Sequence, residues 1–308
     1  MKFSKCPLMV IGTVAIDSIE TPYGKQGEVF GGSASYFSYA ASFFSPVELV
    51  AVVGKDFPED YRNILSERPI GLGHLSVHPK GETFRWQGQY KSDLNVAHTI
   101  DTKLNVLLDF KPKINPDVKP EILFLANIDP ALQTEVLNQV HRSHCELVAC
   151  DTMNFWITNK KKELIDVLKR VDLLVINDGE ARELTGEYNL IKAARAIQAN
   201  GPNAVVIKKG EHGVLLFFEN QMFVLPAYPL EEVFDPTGAG DSFAGGMMGY
   251  LAHIKQFNFD VLRRAVAYGT IVASFTVERF GLDRLREISK EDIEERLKIF
   301  KSLTHVDA

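Results

Sequence analysis

DPTGAGDSFAGG, Asp235 to Gly246, sets glycines and small residues around a Pro, a Thr and two aspartates, then runs straight into an apolar stretch. Gly238 and Gly240 permit a tight turn whose backbone N–H groups can converge. Downstream, Phe243, Met247, Tyr250, Leu251 and Ile254 recur at helical spacing and mark one helix face. The turn therefore feeds a helix N-terminus, where free N–H groups and the helix dipole favour a phosphate or developing negative charge. Asp241 falls in the first turn of that helix. A carboxylate beside an anion site repels what the site should hold. It makes sense if it has to take a proton from a hydroxyl attacking phosphorus. Taken alone, the stretch also reads as a capped helix with glycines that serve packing.

The rest of the chain says what kind of scaffold surrounds that turn. PLMVIG, VELVAVVG, EILFLAN, CELVACD, DLLVIND and NAVVIKKG are short and apolar at consecutive positions, as strands buried on both faces should be. Helix candidates lie between several of them, at Ser33 to Phe44, Tyr61 to Arg68, Pro130 to His141, Lys161 to Val171 and Leu190 to Asn200. The alternation predicts a three-layer α/β/α fold around a mostly parallel sheet, read as a single domain over residues 1–308. Asp17 to Phe30 and Gly81 to His98 are polar, aromatic and alternating; they are expected to form a small lid of antiparallel strands. In the second of these, Phe84, Trp86 and Tyr90 fall on one strand face and Arg85 and Gln87 on the other. The tail from Phe259 reads as helical, with Ser289 and Asp292 spaced as a capping box.

Composition narrows the partners. The chain has 308 residues, 45% of them hydrophobic, and a formal charge of −6, with no Lys/Arg run beyond Lys160 to Lys162. Nucleic acid is excluded as the main partner. Cys6, Cys145 and Cys150 form an odd count without CxxC spacing, so neither a zinc site nor a disulfide framework is expected. No apolar run approaches the roughly 18 residues a membrane helix needs, and the first residues read as a strand, so a cytoplasmic protein without a membrane partner is expected.

Taken as a whole, DPTGAGDSFAGG resembles the C-terminal motif of the ribokinase-like (PfkB) carbohydrate kinases, and further motifs follow in the family's order. VFGGSASYFSYAASF is similar to its di-glycine motif, VIGTVAIDSI to its first strand, NDGE (Asn177 to Glu180) to its NxxE motif, and VVIKKGEHGVLLF to the strand and turn beside the nucleotide. The resemblance spans nearly the whole chain and implies an ATP- and Mg2+-dependent phosphotransferase acting on a hydroxyl of a small sugar or sugar-like substrate. It implies Asp241 as general base and the N–H groups of Gly238, Ala239 and Gly240 as the anion hole. Asn177, Glu180, Lys208, Gly210 and Thr237 would serve the nucleotide, with Glu180 acting on Mg2+ indirectly. Asp17, Gly31 and Gly32 would meet the substrate, and Asp235 with Thr237 a monovalent cation such as K+. Asn127 and Asn154, just after two strands, stand where open α/β sheets bind ligands.

Two departures bear on the acceptor. Where many sugar kinases of the family carry asparagines, this chain has Ala15 and Tyr36, which removes amides that would recognise a plain sugar and adds an aromatic face able to stack on a ring. A nucleoside is the rival acceptor. A sugar phosphate would call on Lys25 and Arg85 in the lid, and a non-catalytic sensor on the same fold would have no use for Asp241. The aromatic lid face is expected to close over the substrate or over the lid of a second copy, giving a homodimer.

Overall fold

A computed structural model describes residues 6–305. Its strands are β1 (Cys6–Ile11), β2 (Ala15–Thr21), β3 (Gly24–Gly31), β4 (Val47–Val53), β5 (Ile70–Val77), β6 (Phe84–Tyr90), β7 (Ala97–Lys103), β8 (Pro120–Leu125), β9 (Leu147–Asp151), β10 (Leu173–Asn177), β11 (Ala204–Lys208), β12 (Val214–Phe218) and β13 (Gln221–Leu225). Its helices are α1 (Ser33–Ala41), α2 (Glu59–Ser66), α3 (Pro130–Gln139), α4 (Asn154–Asn159), α5 (Lys161–Leu168), α6 (Asp178–Thr185), α7 (Leu190–Gln198), α8 (Ala239–Ile254), α9 (Phe259–Thr276), α10 (Asp283–Glu287) and α11 (Lys290–Thr304).

Nine strands make one sheet in the order β13-β12-β11-β10-β9-β8-β1-β4-β5, parallel throughout except for the edge strands β12 and β13. Each central strand is apolar on both faces because each face meets a helical layer. Leu8 and Val10 join the core beneath α1, α8, α9 and α11, while Met9 and Ile11 join the core beneath α3, α5, α6 and α7. The three-layer fold expected from the strand pattern is therefore the observed one, with helices ending two or three residues short of the expected bounds. At the tail, Ser289 and Asp292 exchange both hydrogen bonds of the capping box.

Helix α8 is buried on nearly every side rather than on one stripe. A methyl group on Gly245 or Gly249 would meet the backbone of α1, and one on Gly246 would meet Val272 of α9. These glycines let three helices close on one another; those at the head of α8 serve the turn.

The small sheet, in the order β3-β2-β6-β7, differs from the expected antiparallel lid. β2 runs parallel to β6, and β7 carries the lid on to Lys103. The parallel pair arises because β2 and β6 each follow a strand of the large sheet, β1 and β5, and leave it at the same end. β5 is a strand of the large sheet that the sequence pattern did not reveal, since Gly71, Gly73 and His74 interrupt its apolar run.

Candidate active site

The turn before α8 has the predicted form. Gly238, at the N-cap, adopts φ 75°, a left-handed conformation that favours glycine, and no side chain caps the helix. Of the three N–H groups expected in the anion hole, that of Ala239 donates to the Pro236 carbonyl at 3.2 Å. Asp241 lies in the first turn of α8, partly open to the cleft. Asp235 is fully buried behind it; its carboxylate accepts the N–H groups of Thr237 at 2.9 Å and Gly281 at 3.3 Å, tying the turn to the segment after α9.

Strand ends supply the facing wall. Asp151 closes β9, Asn177 closes β10 and Lys208 closes β11, with Asn177 and Lys208 directly opposite in register. Asn177 and Glu180 form a capping box at the head of α6, where each side chain accepts the other's backbone N–H, at 2.8 and 2.9 Å. Lys208 Nζ lies 3.6 Å from Asp151 Oδ2. The cluster holds more acid than base, and burial is the main influence on how its carboxyls ionise. Desolvation at the cleft floor, with the Asp151 charge adding to it and the Lys208 ammonium opposing it, pushes Asp241 up to about 8. Burial raises Glu180 to about 7 and raises Asp151 as well. For Lys208, burial favours the neutral amine, but the carboxylates of Asp151, Glu180 and Asp241 overcome it and hold the group above its ordinary range.

The opposite wall is built on Asp17. Its carboxylate presses on the di-glycine turn so closely that a methyl group on Gly31 would lie 1.8 Å from Asp17 Oδ2, while Gly32 takes φ 95° against the Thr13 carbonyl. Asp17 Oδ1 is buried with no protein partner, and burial followed by the nearby Asp235 charge outweighs the Gly32 N–H to push the group up to about 8. Thr13 and Ser33 clamp the di-glycine turn through reciprocal bonds, and Ser33 donates onward to the Asn127 carbonyl.

Tyr36 departs from the expected role. Its ring packs against Gly238, where a methyl group would come within 2.4 Å, so its face is closed to a substrate ring. Its hydroxyl, also buried without a protein partner, is the group left to act. From the lid, Tyr90 reaches the glycine turn at 3.2 Å from Thr237 Oγ1, and Asn95 lies against Gly210. The lid thus touches both ends of the site.

Other expected contacts are otherwise engaged. Asn127 binds Trp156 Nε1 and the Met153 sulfur, and Asn154 is exposed at the start of α4. Lys25 pairs with Glu20, and Arg85 with Asp56 and Glu28, so neither lid cation is a ready phosphate partner. Asp151 and the Thr13–Ser33 clamp are parts of the site that sequence reasoning passed over, and Tyr90, expected on the aromatic lid face, meets the glycine turn instead. For Asp151 a signal existed: it ends a buried parallel strand, where such sheets gather ligands. A separate cavity of about 610 Å³ lies between β3, α2 and the 278–286 segment; Glu28 and Gly281 line it, while Asp17, Asp151, Lys208 and Asp241 do not. Among the described residues no three His, Cys, Asp or Glu side chains are placed to hold a metal ion, and no helix is long and apolar enough to cross a membrane.

The chain resembles both sequenced and solved proteins. A cytidine kinase of Thermococcus kodakarensis is 28% identical over 287 residues, covering 92% of this chain and 96% of that protein. The crystal structure of Methanocaldococcus jannaschii nucleoside kinase superposes with a TM-score of 0.76 at 21% identity, covering 96% of this chain and 99% of that one. An E. coli structure described as a ribokinase II, in complex with ATP and Mg2+, gives 0.78 at 19% identity, covering 96% and 100%. The pattern of the pfkB family carbohydrate kinases matches residues 7–288, from β1 past α10, and so takes in both walls and the glycine turn. The chain belongs to that family, and its activity is that of an ATP-dependent kinase with an alcohol acceptor.

Proposed function

We propose that this kinase phosphorylates a hydroxyl of a ribonucleoside, with Asp241 as the general base. The carrying observation is the lid register. Asp17 and Trp86 are direct partners in the β2–β6 pair and so leave the same face of the lid, the face of Phe84 and Tyr90, with the indole lying along β6 over Gly88 and donating to Thr99 Oγ1 at 3.1 Å. A sugar at Asp17 would carry an attached base towards the aromatic row. The loss of family amides at Ala15 and Tyr36 points away from a bare sugar, and the cytidine kinase relative points the same way.

The residues fit a nucleoside triphosphate: an uncapped helix N-terminus behind a glycine turn, the Lys208 ammonium and the Glu180 carboxylate face one cleft. ATP with Mg2+ supplies the activated phosphoryl group. The acceptor oxygen bonds to phosphorus, the bond to ADP breaks, and the hydroxyl proton passes to Asp241. General-base help of this kind is worth roughly 10² to 10⁴ in rate. The Gly238 and Gly240 N–H groups stabilise the charge that develops, and the lid, anchored through Tyr90 and Asn95, excludes water. A monovalent cation beside Asp235 has as support a fully buried carboxylate whose stabilising neighbours, the Thr237 hydroxyl and N–H and the Gly281 N–H, are all uncharged. Pairing with a second copy through the lid is supported by β7, exposed along its whole length with Ile100 at its centre. We place this single-domain enzyme in the cytoplasm, where ATP is supplied.

Purified protein, ATP and Mg2+ should release ADP fastest with cytidine or another nucleoside in a panel that includes ribose, fructose and sugar phosphates. Faster turnover of a free sugar or a sugar phosphate would refute the nucleoside reading.

A further inference from the structure

Across three adjacent strands the carboxyl ends carry Asp151, Asn177 and Lys208. Asn177 is occupied by the cap of α6, so an acid and a base face each other across the strand between them, 3.6 Å apart. The same ammonium rests on the glycine turn, since a methyl group placed on Gly240 would lie 2.8 Å from Lys208 Nζ. Asp151 is 4% exposed, and its Oδ1 accepts the Thr152 N–H at 2.7 Å, which fixes the carboxylate in orientation. An acid buried here is costly to desolvate and repels a polyphosphate. What it gains is its partner.

We propose that Asp151 is a positioning residue that holds the Lys208 ammonium over the Gly238–Gly240 turn, aimed at the phosphoryl oxygens that gain charge during transfer, and keeps it off the Asp241 carboxylate. The proposal rests on the turn and Asp241 being the transfer site. Lysine suits the task as a compact charge on a flexible stem, which a fixed carboxylate can steer. Without Asp151 the ammonium turns to Asp241, and a base held by an ammonium is a poorer proton acceptor. Asp241 faces the carboxylates of Asp151, Asp17 and Glu180, the Lys208 ammonium, and the hydroxyls of Tyr36 and Tyr90. The two members of the pair therefore act on its titration with opposite sign.

The experiment compares wild type, Asp151→Asn, Lys208→Met and the double variant. One arm needs no acceptor: calorimetric affinities for Mg2+ with the β,γ-imido analogue of ATP and with ADP. Lys208→Met should weaken the imido analogue more than ADP, whereas Asp151→Asn, having lost a repelling charge, should bind the analogue at least as tightly as wild type. The second arm is turnover with cytidine. Lys208→Met should lower kcat by about 10²-fold and Asp151→Asn by about 10-fold. The acidic limb of kcat/KM should move to lower pH in Asp151→Asn and to higher pH in Lys208→Met. The double variant should be no slower than Lys208→Met, because the pair acts as a unit. Wild-type kcat in Asp151→Asn, losses that multiply in the double variant, or equal weakening of both nucleotides by Lys208→Met would overturn the proposal. If wild type ignores cytidine, the acceptor reading fails, and the nucleotide affinities still decide the role of the pair.

Discussion

Tyr36→Phe should make the protein more stable and a worse enzyme. The Tyr36 ring is wedged against Gly238, and its hydroxyl is buried with no protein partner. Burial, and then the charges of Asp235 and Asp17, hold the phenol well above its ordinary pKa, so it is an O–H donor at any working pH. A buried donor left unmade costs about 1–3 kcal/mol. Phenylalanine keeps the ring and removes that cost, so the acceptor-free protein should gain on the order of 1 kcal/mol, which for a chain of this size raises Tm by about 2 °C. If the hydroxyl instead donates to an oxygen of the bound acceptor, the variant loses that bond in the complex. At about 1–3 kcal/mol, kcat/KM for the acceptor should fall by roughly 5- to 150-fold. The KM for ATP should not change, because the hydroxyl faces Asp17 and Asp235 rather than Lys208. Scanning calorimetry without ligands, and initial rates against cytidine at saturating ATP, give both numbers. A lower Tm with an unchanged acceptor KM would show that the hydroxyl serves the fold.

Asp241→Asn should fold and bind ATP but lose about 10²-fold or more in kcat, since the amide cannot take the proton; near-wild-type turnover would remove Asp241 from the chemistry. In wild type the ionised carboxyl is the active form, so with a pKa raised to about 8 by desolvation, kcat/KM should climb with pH and level above about 8. Glu180→Gln keeps a side-chain oxygen for the Asn177 N–H, so α6 should stay capped while the Mg2+ concentration for half-maximal rate rises. An unchanged Mg2+ curve would reduce Glu180 to a cap. Trp86→Ala should raise acceptor KM with little movement of Tm, because the indole is partly exposed and lies over Gly88 on the lid; a large drop in Tm, with all acceptors affected equally, would make Trp86 a packing residue.

What could be read from the chain, and what could not, follows from how local each feature is. The turn at Gly238 was legible because a left-handed glycine ahead of a helix face is a property of a dozen consecutive residues. The central strands were legible because burial on both faces leaves an unbroken apolar run. β5 was not, and the reason lies on its neighbour. Glu48 of β4 lies so close to Gly71 that a methyl group there would sit 2.0 Å from Oε2, and the same acid pairs with His74 at 2.7 Å. The polar and glycine positions of β5 answer a partner strand, which no window on β5 contains. Tyr36 was found as a residue but misread in orientation, since what turns its ring under Gly238 is the approach of α1 to α8 that Gly245 and Gly249 permit. Asp151 shows the limit most sharply. In the chain it is one acid at the end of one strand, far from Lys208, and only the order β9-β10-β11 makes the two neighbours across the end of β10. Strand order depends on every crossover at once. The motifs specify which groups the reaction uses, and the sheet decides which of them must be held apart.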